Sequence, residues 1–103
     1  MTYNELAKIF EENPHDVHTV PKDNRVPLWF YAGAENGVLY AESAHKAAPA
    51  SRISFRRNLS PKEFNAMLDL YSRRKGGEPV SREATEITRN QVYWYGIFAD
   101  TGL

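Results

Sequence analysis

The chain has 103 residues, thirteen Lys+Arg balanced by thirteen Asp+Glu, and no cysteine. That length fits one domain, residues 1–103, divided into a helix plus β-meander over 1–58 and a helical part over 59–103. The composition excludes a disulfide framework and a thiolate metal site, and no apolar run approaches the roughly 20 residues of a membrane span.

The start carries Asn4, Glu5 and Lys8 in place of the apolar block of a secretory signal, so a cytoplasmic location without membrane contact is expected. The charge is unevenly spread. Residues 1–50 hold four basic against seven acidic residues, net −3, and residues 51–103 hold nine against six, net +3. Such asymmetry suits an anionic partner for the second half, and ordinary solvated surface equally.

Residues 2–12 read as a helix. Thr2 is a capping residue with Glu5 three positions on, and Leu6, Ile9 and Phe10 form a short apolar face. Asn13-Pro14 ends it, and the polar stretch 13–25 reads as a loop. His15 and His18 flank Asp16 there. Two imidazoles and a carboxylate are metal-ligand types, but the set is one ligand short, so no metal is expected. No cofactor is expected either.

Val26 to Ala32 reads as a strand, with Leu28, Phe30 and Ala32 on one face and Trp29 and Tyr31 on the other, which the first helix would cover. Gly33 to Gly37 reads as the hairpin loop, Val38 to Glu42 as the returning strand, 43–51 as a connection and Arg52 to Arg56 as a third strand with Ile53 and Phe55 inward. Ser60-Pro61 with Glu63 gives a strong helix start, and Phe64, Met67, Leu68 and Tyr71 form its stripe. Gly76-Gly77 stops that helix, and Arg73, Arg74 and Lys75 suit its last turn electrostatically. Ser81 then caps a short helix through Glu86, with Ala84 and Ile87 inward.

The last segment carries conflicting signals. Val92 to Tyr95 and Ile97-Phe98 are strand-like residues. Thr88 with Gln91 fits a capping box, Ile87 and Val92 a hydrophobic staple, and Gly102 a helix stop. The caps favour a helix from Thr88 to Gly102, with a core strand as the alternative and Gly96 awkward for both. The expected fold is therefore α+β: an N-terminal helix, a three-stranded antiparallel meander and three C-terminal helices.

The run Gly77 to Ala84 followed by Ile87 to Tyr93 is similar to the helix-turn-helix of recombinase-type and regulator DNA-binding domains, over residues 60–102. There the second helix carries an inward alanine, here Ala84, and the recognition helix opens on a hydroxyl residue and polar base-readers before an inward valine, here Val92. The resemblance implies a small DNA-binding or regulatory protein without catalysis. Arg89, Asn90 and Tyr93 would read bases, since arginine pairs bidentately with guanine and asparagine with adenine. Arg56, Arg57, Arg73, Arg74, Lys75 and Arg82 would hold phosphates. Arg52 to Arg57 and Thr88 to Phe98 also resemble uncharacterised proteins of mobile gene cassettes in bacterial integrons, a likeness that implies no activity.

A second reading is a protein–protein interaction module, with a homodimer as the expected form. Trp29, Tyr31, Tyr40, Trp94 and Tyr95 would form the contact, and the strands at 26–32 or 52–56 would pair edge to edge. A third is an enzyme, which the sequence disfavours: no nucleophile motif and no phosphate-cradling glycine loop is present. A pocket between the sheet and the last helix, lined by Tyr and Trp, would be the place for a small ligand.

Overall fold

Four strands, β1 (His15–His18), β2 (Trp29–Glu35), β3 (Val38–Ser43) and β4 (Arg57–Leu59), pair antiparallel in chain order. Four helices surround them: α1 (Tyr3–Glu12), α2 (Pro61–Lys75), α3 (Ser81–Ile87) and α4 (Gln91–Asp100). This is a computed structural model and it describes all 103 residues. No helix is long and apolar enough to cross a membrane. The fold is α+β as expected, with one strand more than the sequence suggested.

Local chemistry explains most of the element ends. Thr2 Oγ1 accepts from the Glu5 amide while the Glu5 carboxylate accepts from the Thr2 amide, a complete capping box. Ser60 caps α2 with Pro61 in its first turn. Asn36 and Gly37, with φ of 52° and 77°, form the two-residue turn between β2 and β3. Gly33, Ala34 and Glu35 thus belong to β2 rather than to a hairpin loop.

The sheet has two unlike faces. Phe30, Ala32, Leu39 and Ala41 are fully buried against the helices. Ala32 sits opposite Ala41, so small side chains occupy the middle of the face. Helix α1 packs on β2 and β3 through Leu6, Ala7 and Phe10, and α4 packs on β1. The other face carries Tyr31, Tyr40, Glu35 and Glu42. It is not covered by α1. His45 stacks on Tyr31 at 3.4 Å, and Arg56 lies over Tyr40 at 3.8 Å, so the 44–56 connection shields it.

The helix α4 settles the conflict in the last segment. Tyr93 through Phe98 are all buried, so it is apolar all round, the mark of a central helix rather than a surface one. Gly96 is what lets it lie on the sheet: a Cβ there would sit 2.7 Å from the His18 carbonyl and 3.0 Å from the Phe30 ring. Trp94, fully buried, anchors α4 to α2 by donating from Nε1 to Glu63 at 3.0 Å.

Several expectations need correction. The strand β1 lies inside the stretch read as loop. The third strand is Arg57–Leu59, not 52–56, and Phe55 is 82% exposed instead of inward. Ile9 is partly exposed, and Tyr3 and Ala7 take the buried places beside Leu6 and Phe10. Leu70 replaces Leu68 in the fully buried stripe of α2. Ser81 is the first residue of α3 and makes no cap bond; Val80 precedes it. Thr88 ends α3, and its hydroxyl accepts from the Asn90 amide, so α4 starts at Gln91 without a capping box. Val92 consequently faces out, 45% exposed.

Candidate functional site

The residues expected to read DNA do not share one surface. Tyr93 is buried against Phe30, ring centres 5.0 Å apart, because α4 turns that side to the sheet; it cannot reach a base. The Asn90 side-chain oxygen accepts from Arg57 at 3.3 Å. Arg56 is bound by Glu35 and Glu42 on the outer sheet face. Arg73 is held by Asp69, Glu78 and Glu83, whose hydrogen bonds raise its pKa. Lys75 donates to the Leu103 carbonyl at 2.8 Å and lies over Tyr71. Arg82 and Arg89 are exposed and form no ion pair.

The aromatic contact set is likewise divided. Trp94, Tyr95 and Tyr40 are buried, at 0%, 5% and 9% exposure, because α4 packs into the core and residues 44–56 cover the outer sheet face. Only Trp29 and Tyr31 keep partly open positions, and they sit under His18 and His45. Edge pairing at 26–32 is blocked because β2 is central, flanked by β1 and β3; the free edges belong to β1 and β4.

Two clefts remain. One, about 550 Å³, lies among His15, Asp16, Tyr31, His45 and Lys46. Its carboxylate and its histidines are already paired. Asp16 accepts from the amides of His45, Lys46 and Ala47, each at 2.8 Å. Partial burial would raise its carboxyl, but those amides outweigh burial and hold it below the usual carboxylate range. His15 bonds the Asn13 carbonyl through Nδ1 and the Asp100 carboxylate through Nε2, at 2.7 and 2.8 Å. Both ring nitrogens are engaged, so this histidine–carboxylate pair has no free nitrogen with which to take a substrate proton.

The other cleft, about 480 Å³, lies between residues 19–28 and the α3–α4 pair. Its apolar wall includes Val20, Leu28, Val80, Ala84 and Val92, with Val26 68% exposed at the rim. Lys22, Arg25 and Arg74 bring positive charge against a single carboxylate, Asp23, which pairs with Arg25 at 3.3 Å. Arg74 lies over the Tyr95 ring at 4.7 Å and donates from Nη2 to the Val20 carbonyl at 2.7 Å, pinning the 19–28 segment to α2. Tyr95, which also lines this cleft, has a buried hydroxyl with no hydrogen-bond partner. Burial pushes its pKa up, against the opposing pull of Arg74.

The pocket expected between the sheet and the last helix, lined by Tyr and Trp, is not this cleft: no strand residue lines it, and its one aromatic is Tyr95. Trp94 points into the core. Residues 19–28 close the cleft from a part of the chain with no motif, and only the apolar residues Val20, Val26 and Leu28 mark it in the sequence. Comparison with known proteins gives no matching family, no matching curated protein and no matching solved structure.

Proposed function

We propose that the protein is a small binding module whose working surface is the cleft between residues 19–28 and α3–α4. The buried, unpartnered Tyr95 hydroxyl carries this reading. A buried polar group without a partner costs the fold about 1–3 kcal/mol, and a ligand that supplies the partner removes that cost. The cleft also has the size and the mixed lining of small-molecule sites, apolar walls with a few polar groups.

The test is amide chemical-shift mapping of isotope-labelled protein against a small-fragment library. Binders are expected to shift residues 19–28, 80–84 and 91–95 as one patch. Shifts confined to the His15–His45 side, or none at all, would remove the reading.

The helix-turn-helix reading keeps one observation in its favour: Arg82 in the first turn of α3 and Arg89 between α3 and α4 are exposed and free of ion pairs. Anisotropy of a labelled random duplex at about 50 and 200 mM salt tests it, since phosphate-driven binding falls steeply over that range. Binding that Arg82→Ala, Arg89→Ala abolishes would favour DNA. A buried Tyr93 supports the cleft over the groove.

A further inference from the structure

We propose that the ligand of this cleft is a small organic monoanion, an apolar body bearing one carboxylate, which sits against Arg74 and the Tyr95 hydroxyl. The inference rests on the cleft being the working surface.

Two groups with unmet demands belong to one contact, Arg74 lying over the Tyr95 ring at 4.7 Å from its centre. The Tyr95 hydroxyl is a donor with no acceptor. Arg74 is a guanidinium with one nitrogen committed to the Val20 carbonyl and no carboxylate beside it. Its sequence neighbour Arg73 shows the contrast, being surrounded by three carboxylates. A hydroxyl hydrogen and a free guanidinium edge ask for the same thing, an anionic oxygen, and charge-assisted bonds of this kind are the strong ones.

The rest of the lining narrows the class. Asp23 is already paired, so Lys22 and Arg74 leave the cleft electropositive and unsuited to an amine. Val20, Leu28 and Val92 offer apolar contact to the remainder of the ligand. No glycine lines the cleft, so it has no run of close-approaching amides of the sort that cradles a phosphate dianion. A single carboxylate on a branched or aromatic body matches both parts.

The experiment is calorimetric and NMR titration of the full chain with phenylacetate and 4-methylpentanoate, set against phenylacetamide and phenethylamine. The acids are expected to bind at least about tenfold tighter than the amide, and Arg74→Gln to weaken them by about tenfold. Tyr95→Phe is expected to weaken the acids about three- to tenfold with no loss of thermal stability, which separates a ligand contact from a structural one. Arg74→Lys, which keeps the charge, is expected to retain most of the binding. An amide that binds as tightly as the acid, or an Arg74→Gln variant that is folded and binds normally, would overturn the anion class while leaving the cleft reading intact. If neither acids nor neutral analogues shift residues 19–28 and 91–95 at millimolar concentration, both fail.

Discussion

His15 and Asp100 meet across 85 positions of sequence, imidazole Nε2 to carboxylate at 2.8 Å, and tie the edge strand β1 to the last residue of α4. Partial burial pulls the His15 pKa down, but the Asn13 carbonyl and Asp100 outweigh it and the value is raised above its ordinary 6.5. A raised pKa means that the folded state binds the proton more tightly. The contribution is therefore complete below pH 6.5 and is lost as pH climbs through the higher folded value. Both side chains are about one-third exposed, so solvent screening keeps the effect below about 1 kcal/mol. Melting temperature is expected to fall modestly as pH rises above 6.5, and His15→Gln to flatten that slope. A His15→Gln melting curve with the same slope as the parent would refute the assignment.

Asp16 works in the opposite direction. Its carboxyl is held below the ordinary 3.8 by the amides it accepts from, so its contribution is present above that pH and disappears as pH falls through the lower folded value. Asp16→Asn replaces an oxygen acceptor pair by one oxygen and one amide. It is expected to lower stability at neutral pH and to reduce the difference between pH 7 and pH 3, measured by urea unfolding at each pH.

Gly96→Ala is expected to destabilise by about 1–3 kcal/mol, the usual range for overpacking a close contact. In an exposed helix the same change would stabilise by up to about 1 kcal/mol through helix propensity. The sign of the change in urea midpoint thus reports whether α4 lies against the His18 carbonyl and the Phe30 ring.

Two tyrosine hydroxyls make an internal contrast. The Tyr3 hydroxyl donates to the Leu59 carbonyl at 2.5 Å and accepts from the Leu39 amide at 3.0 Å, stitching α1 to β3 and β4. Tyr3→Phe leaves both backbone groups without that partner and is expected to cost about 1–3 kcal/mol. Tyr95→Phe removes a hydroxyl that has no partner, and is expected to leave stability unchanged or raise it by about 1 kcal/mol. Chemical denaturation of both variants decides it; equal losses would mean that Tyr95 has a structural bond.

Arg73 is expected to matter most at low ionic strength. Arg73→Ala leaves Asp69, Glu78 and Glu83 close together without their shared cation, so melting temperature should fall. The loss should shrink in high salt, where repulsion among the remaining carboxylates is screened. A loss independent of salt would point instead to packing by the arginine stem.

The elements easiest to foresee were those whose ends are written in local chemistry: the Thr2–Glu5 box, Ser60-Pro61, the Asn36-Gly37 turn and Gly102 with its φ of 77°. What escaped was decided by distant contacts. The strand β1 has one buried residue, Val17, and forms because β2 offers an edge to pair with. Residues 52–56 alternate like a strand, but the segment is spent on shielding the outer face, where Arg56 lies over Tyr40. Tyr93 looks like a first-turn surface residue until α4 is known to start at Gln91 and to lie on Phe30. The cleft needed residues 19–28 and α4 to be neighbours, which no local pattern encodes, so Tyr95 could be placed on the last helix but not in a wall.

The three amides that converge on Asp16 give the 44–56 connection a shape borrowed from a strand some thirty positions earlier. While β1 is detached, residues 45–47 lose the carboxylate they fold around, whereas Arg56 keeps its hold on Glu35, Glu42 and Tyr40. Opening at one edge of the sheet therefore reaches a loop far along the chain, and amide exchange at residues 45–47 should keep time with the opening of β1 rather than with the unfolding of the core.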